Sequence, residues 1–241
     1  MRDEIIQSID GFEVSAAIFE KKGSWNHSPD EINEAELKDL SAVDVTGRRY
    51  RYFKRGMDIV FSLLAIAVLL VPMLLVMIAI YVDDPGPVFF RQYRVGLHGK
   101  RFRLYKFRSM KLGTPKYMST NEFADSDTYI TRVGKFIRNL SIDELPQLIN
   151  VLMGDMSLVG PRPLISDEYD VHKMRMRYGV YSIRPGITGL AQINGRDTVS
   201  SAEKVRYDVQ YLESFGLWED LRILCLTIPK IMKASDISEG H

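Results

Sequence analysis

Two carboxylates stand side by side at Asp143 and Glu144, inside SIDELPQLINVLMGDMSLVGPRP, the stretch from Ser141 to Pro163. Arg132, Lys135 and Arg138 lie just upstream, and Asp155 and Arg162 follow. Arg162 sits between two prolines, whose rings fix φ on either side and hold the guanidinium in a preset direction. Such a planar fork grips phosphate oxygens in bidentate fashion. Carboxylates and arginines gathered without histidine or cysteine suit magnesium and phosphate chemistry better than zinc.

A plainer reading competes on the same residues. Ser141 with Glu144 three positions on matches the capping box S-x-x-E, in which each side chain satisfies an orphan backbone donor of a helix start. Pro146 complicates that cap, because it would fall where a missing donor begins to matter. With Pro146 at the first helical position instead, Asp143 and Glu144 would stand just outside the helix mouth. Either way they cluster at a positive helix end, so cap and chemistry both stay open here. Other signatures are absent: there is no phosphate-binding glycine loop, no dinucleotide fingerprint and no nucleophile elbow. His27, His98, His172 and His241 share no ligand spacing, which argues against zinc hydrolysis and histidine triads.

The elements that must position this chemistry begin with IVFSLLAIAVLLVPMLLVMIAIYV, the 24 uncharged residues from Ile59 to Val82. At about 1.5 Å per residue the run is long enough for a hydrocarbon core of about 30 Å. Two features argue against a simple span. Pro72 lies inside the run and kinks or breaks a helix. The flanks RRYRYFKR, from Arg48, and RQYRVGLHGKRFRLYKFRSMK, from Arg91, are both basic, so both ends favour the cytoplasmic side. A proline-broken, re-entrant helix over 57–82 satisfies both, and a kinked spanning helix remains the alternative.

After the turn-rich DDPGP, aromatic and basic residues alternate through VFFRQYRVG and KRFRLYKFRSM, which predicts a hairpin around GLHG. Beside a membrane segment this pattern reads as an interfacial belt rather than a nucleic-acid surface. Leu112 to Thr128 reads as loop and ITRVGKFIRNL as a short basic helix or turn. Helices are expected from about Ser166 to Tyr178 and around Glu203 to Tyr211. WEDLRILCLTIPKIMKA, with the preceding leucine, places Leu217, Leu221, Leu224 and Ile228 on one helical face, core-facing or lying on a membrane. The fold class is α+β, mostly helical, embedded by the proline-broken re-entrant helix, with amphipathic interfacial helices and a small β element.

Composition bounds the rest. At 241 residues and 46% hydrophobic, the chain holds one good-sized domain with appendages and is not a disordered protein. Residues 1–47 carry a net −7 and residues 48–241 a net +8. The basic part should therefore meet phosphates or anionic headgroups. The acidic extension, with a short helix expected at DEINEAELKDL from Asp30, reads as a flexible or regulatory arm and not as a signal peptide. The single cysteine, Cys225, has apolar neighbours and is expected to be a buried thiol.

KRGMDIVFSLLAIAVLLVPMLL, PGPVFFRQYRVGLHGKRFRLYKFRSM, IRNLSIDELPQLINVLMGDMSLVGPRP and RPGITGLAQINGR, in this order, resemble the bacterial sugar transferase family. These are the monotopic phosphoglycosyl transferases that start glycoconjugate assembly on polyprenyl phosphate. The resemblance covers about Arg51 to Lys233, so the division is an extension, 1–47, and a transferase domain, 48–241. It implies a UDP-sugar donor, an undecaprenyl phosphate acceptor, Mg2+ and a place on the cytoplasmic face of the bacterial inner membrane, with membrane lipid as partner, no nucleic acid, and room for self-association. Asp143 and Glu144 match the family's catalytic dyad, with Asp143 also the metal ligand. Pro161, Arg162 and Pro163 match its PRP. Lys106 and Arg138 fall at the phosphate site, and Arg108, Arg184 and Arg196 join the substrate-binding set. Members often carry Ser-Pro at the helix break, where this chain has Val71-Pro72 and lacks a hydroxyl for a freed carbonyl. A rival reading from another class is a noncatalytic membrane-anchored adaptor that binds anionic lipid and recruits a partner through the acidic arm.

Overall fold

A computed structural model describes residues 48–114, 129–166, 168–195 and 199–233. The helix expected at Asp30, most of the loop to Thr128, and Arg196 lie outside those residues. The first element, α1, is Arg48–Asp83, 36 residues and about 54 Å at the helical rise. It is one continuous helix with Pro72 inside it. Most of its apolar surface, including Val60, Leu64, Val68, Val71, Leu75 and Ile78, is exposed. By length and composition it can cross a membrane.

One stripe of α1 is not exposed. Leu69, Met73, Val76 and Ile80, at helical spacing, pack on Phe107 and Ile137 of the following body. The two ends are also tied to that body. Near the start, Lys54 pairs with Asp220, and Asp58 accepts from Ser157 Oγ at 3.1 Å and Leu158 N at 3.0 Å. At the finish, Asp83 accepts from Val133 N at 2.9 Å, and Arg108 pairs with Asp84 at 3.5 Å.

The expected hairpin is present: β1 (Phe89–Val95) pairs antiparallel with β2 (Arg101–Phe107) across a 3-10 turn at Leu97–Gly99. Next come α2 (Arg132–Asn139), started by Thr131, whose side chain accepts from Gly134 N, and α3 (Gln147–Met153). Then β3 (Ser157–Val159), α4 (Tyr169–Arg177) and β4 (Gly186–Thr188) follow, with β3 and β4 parallel. The chain ends in α5 (Leu190–Ile193), α6 (Ser201–Glu213) and α7 (Leu217–Lys233). Val159, Ile183, Leu190, Tyr211 and Ile223 form one core where β3, α5, α6 and α7 meet.

The inward face of α7 is Asp220 and Ile223 with half-buried Leu224 and Thr227, whereas Trp218, Leu221 and Ile228 are exposed. Of the stripe read from the sequence, Leu224 meets the core and Leu221 and Ile228 are left uncovered. One expectation is corrected in this helix. Cys225 lies on the outward face and is exposed, not buried; apolar neighbours in sequence did not mean burial.

Candidate active site

The dyad is built by a break between two helices. After α2 the chain turns at Ser141, which adopts the left-handed conformation at φ 56° and makes no capping bond with its side chain. Asp143 and Glu144 then occupy a 3-10 turn, Ile142–Glu144, and α3 opens only after Pro146. Of the readings weighed for these residues, the capping box is not formed, and the carboxylates stand outside the helix mouth. A capping box does occur in the chain, at Ser200 and Glu203, where it starts α6.

The cations converge on Glu144. Lys106 Nζ donates to Glu144 Oε1 at 2.8 Å, and Arg162 Nη2 donates to the same oxygen at 3.1 Å. Asp143 is left differently: its closest cation is Lys106 Nζ at 3.9 Å, and among the described residues nothing donates a hydrogen bond to its carboxylate. Electrostatics separates the pair. Burial pushes the Asp143 carboxyl up; Lys106 opposes this, and the charge on Glu144 adds to it. Burial would also raise Glu144, but Arg162 and Lys106 outweigh it and hold that carboxyl well below the usual carboxylate range. One member is a fixed, paired anion, and the other is a sequestered carboxylate with unused acceptor capacity. Arg138, in the last turn of α2, adds its charge to Asp143.

The Pro161-Arg162-Pro163 loop is clamped carbonyl by carbonyl. Pro161 O accepts from Gly186 N at 2.9 Å. Arg162 O accepts from Arg175 Nη1 at 2.8 Å, and Arg175 is itself buried in an ion pair with Asp208 at 2.7 Å. Pro163 O accepts from Arg94 Nη1 at 3.4 Å. The loop enters through Gly160, where a side chain has no room: a Cβ would lie 2.4 Å from Arg184 O, and one on Gly186 would lie 2.1 Å from Gly160 N. The glycines of VGPRP and RPGITG therefore let β3 and β4 meet backbone to backbone, which aims Arg162 at the dyad.

The family model described as bacterial sugar transferase matches residues 49–234. The chain belongs to the bacterial sugar transferase family. It is 41% identical over 188 residues to the uncharacterized sugar transferase EpsL of Bacillus subtilis (strain 168), covering 78% of this chain and 91% of that one. It is 40% identical over 209 residues to the UDP-N-acetylgalactosamine-undecaprenyl-phosphate N-acetylgalactosaminephosphotransferase of Aeromonas hydrophila, covering 84% and 48% respectively. Against the UDP-glucose:undecaprenyl-phosphate glucose-1-phosphate transferase of Escherichia coli (strain K12) it is 38% identical over 208 residues, covering 83% and 44%. The transferase thus spans about nine-tenths of the first relative and about half of the other two.

Of the residues matched to the family, the transferase brings Asp143, Glu144, Lys106, Arg162 and Arg138 together. Arg108 instead binds Asp84 at the end of α1. Arg184 donates from Nε to Gly154 O at 2.8 Å, alongside Arg55, which donates to Leu152 O at 3.0 Å, so both serve the C-terminal end of α3 while the dyad stands at its other end. Arg94, Arg175, Asp208 and Asn150 escaped the sequence reading. Asn150 is fully buried and zips α3 to β2, accepting from Tyr105 N at 3.0 Å and donating to Arg103 O at 2.6 Å, which fixes where Lys106 emerges. The only signal for Arg94 was its alternation in β1, which puts it on the same face as Lys106.

Proposed function

We propose that this transferase moves a phospho-sugar from a UDP-sugar to undecaprenyl phosphate and releases UMP, through a covalent intermediate on Asp143. The observation that carries the reading is the asymmetry of the dyad: Glu144 is occupied by two cations, while Asp143, one residue away, is a buried carboxylate that no donor occupies. An Asp143 oxygen attacks the β-phosphorus of the UDP-sugar, the bridging P–O bond breaks, and UMP leaves with the bonding pair. The acyl phosphate so formed retains the transfer potential of the broken anhydride, and a phosphate oxygen of undecaprenyl phosphate then displaces Asp143 from phosphorus. Lys106 and Arg162, held by Glu144, would supply donors to the developing phosphate charge. The buried Asp143 carboxylate suits Mg2+, which takes one or two carboxylates and completes its shell with water and substrate phosphates; when bound it neutralises diphosphate charge.

Membrane placement is read from α1. Bonds from Lys54 and Asp58 near its start, and from Asp83 at its finish, reach one body, which favours both ends lying on one side of a bilayer. This supports a re-entrant placement on the cytoplasmic face, with Trp218, Leu221 and Ile228 of α7 as a second, interfacial contact. A lipid-binding adaptor would have no use for an uncommitted buried carboxylate among cations, nor are the characterised relatives adaptors by name.

The test incubates the protein with Mg2+ and a panel of UDP-sugars without acceptor. One phospho-sugar mass should appear at Asp143 by peptide mapping, with stoichiometric UMP, and should be discharged by undecaprenyl phosphate. An enzyme that turns over but never shows the adduct under rapid quench would replace the covalent route by direct transfer in a ternary complex.

A further inference from the structure

Arg94 is a buried guanidinium of this neighbourhood with most of its donors unused. Antiparallel pairing sets Phe90 opposite Lys106 and Arg94 opposite Phe102, so Arg94 and Lys106 project from one face of the hairpin, the face that supplies Lys106 to the dyad. Arg94 Nη2 donates to Gln92 Oε1 at 2.7 Å, and Nη1 reaches Pro163 O at a long 3.4 Å. Its Nε is buried with no hydrogen-bond partner. The carboxylates whose charge it feels are Glu168 and Glu144, and it forms an ion pair with neither. A second guanidinium, Arg162, stands close enough to repel it. Burial, and then the charge of Arg162, push its pKa down to about 10, so it stays charged at neutral pH.

Two arginines held near one another, one of them desolvated and without a counter-ion, make an arrangement that a bound anion would complete. A guanidinium has five donors, and Arg94 uses two. The anion available here is a phosphate. We propose that Arg94 is a second phosphate-binding arginine of this site, which receives, beside Arg162, a phosphate oxygen of one of the two substrates. The inference rests on the reaction read above and adds a residue to it. Shared chemistry leaves two sources, the diphosphate of the UDP-sugar and the monophosphate of the polyprenyl acceptor.

Two half-reactions separate them, run on the full chain in lipid nanodiscs with Mg2+ and comparing wild type with Arg94→Gln and Arg94→Lys. If the donor supplies the phosphate, Arg94→Gln raises the KM for UDP-sugar in adduct formation about tenfold or more and leaves discharge by polyprenyl phosphate unchanged. If the acceptor supplies it, adduct formation is unchanged and the KM for polyprenyl phosphate in discharge rises by a similar factor. In both cases Arg94→Lys recovers part of the loss, because charge is kept and the fork is not. A residue that only braces Pro163 would lower kcat in both half-reactions with both KM values within twofold, and that result overturns the proposal, as does no change at all. Where Arg94→Gln fails to fold, Arg94→Lys decides: a severalfold rise in one KM supports phosphate binding, and two unchanged KM values refute it. Should wild type form no adduct, the covalent reading fails separately. Arg94 is then judged by the rise in melting temperature that UDP or a short polyprenyl phosphate gives wild type, which Arg94→Gln should abolish for one of them; retention of both refutes the proposal.

Discussion

Asp143 holds a negative charge where its surroundings resist one, and its neighbour Glu144 holds one where they demand it. The two should therefore respond to neutralisation with opposite signs. The folded-state pKa of Asp143 is raised, so its ionised form costs stability at neutral pH, and the cost vanishes below the ordinary aspartate value, where folded and unfolded chains are both protonated. Asp143→Asn, melted with a chelator present, should be more stable than wild type at pH 7 by about 1 kcal/mol, or roughly 3 °C, and equal to it near pH 3, while turnover falls by several orders of magnitude. A melting temperature at or below wild type at neutral pH would mean that the carboxylate is well solvated. Glu144 is depressed, so its contribution is present above the ordinary glutamate value and is lost as pH falls through the lower folded one. Glu144→Gln should cost about 1–2 kcal/mol at pH 7, discounted because Arg162 is part-exposed, and the deficit should shrink on acidification; a pH-independent deficit would point to packing rather than charge. At this scale the sequence was legible where chemistry is written in adjacent residues, as in Asp143-Glu144 and Pro161-Arg162-Pro163. It was silent on Arg94 and Arg175, whose roles come from carbonyls 69 and 13 positions away.

The elements explain why identical patterns have different meanings. S-x-x-E occurs at Ser141 and at Ser200, yet only the second caps a helix, because Pro146 delays α3 and the left-handed turn at Ser141 carries the chain past the capping geometry. Arg184 and Arg108 look like phosphate ligands by type, but Arg184 Nε donates to Gly154 O and Arg108 Nη2 pairs with Asp84, so each is anchored away from the dyad. The hairpin, α4, α6 and α7 were legible from alternation and periodicity, whereas the parallel contact of β3 with β4 was not, since three-residue strands leave no period to read. That contact depends on absent side chains. Gly186→Ala should overpack it by about 3 kcal/mol or more and displace the Arg162 loop, seen as a lowered melting temperature together with lost activity. Wild-type melting in this variant would show that the two strands part without strain.

At the scale of the molecule, the long apolar helix and the body are one structure tied at two ends. Cysteines at Tyr50 and Gln92, in a Cys225→Ala background made necessary by the exposed thiol, should both resist an impermeant thiol reagent applied from outside the cell. Labelling of one alone would establish a spanning helix. The acidic arm, residues 1–47, precedes the family match that starts at residue 49. Its deletion should leave turnover within a few-fold, and a loss of about a hundredfold in a folded protein would show that it completes the site.

The tie at the start of α1 also sets a clock on biogenesis. Lys54 depends on Asp220, 166 residues later in the chain, and Tyr50 and Tyr211 share the same carboxylate. At about 5–20 residues per second a ribosome needs roughly 10–30 s to cover that distance. For that interval the apolar helix is already made while Lys54 has neither its counter-ion nor the packing that buries it, so the start of α1 stays untied until α7 emerges. A ribosome stalled before Asp220 would leave α1 without its tie at that end.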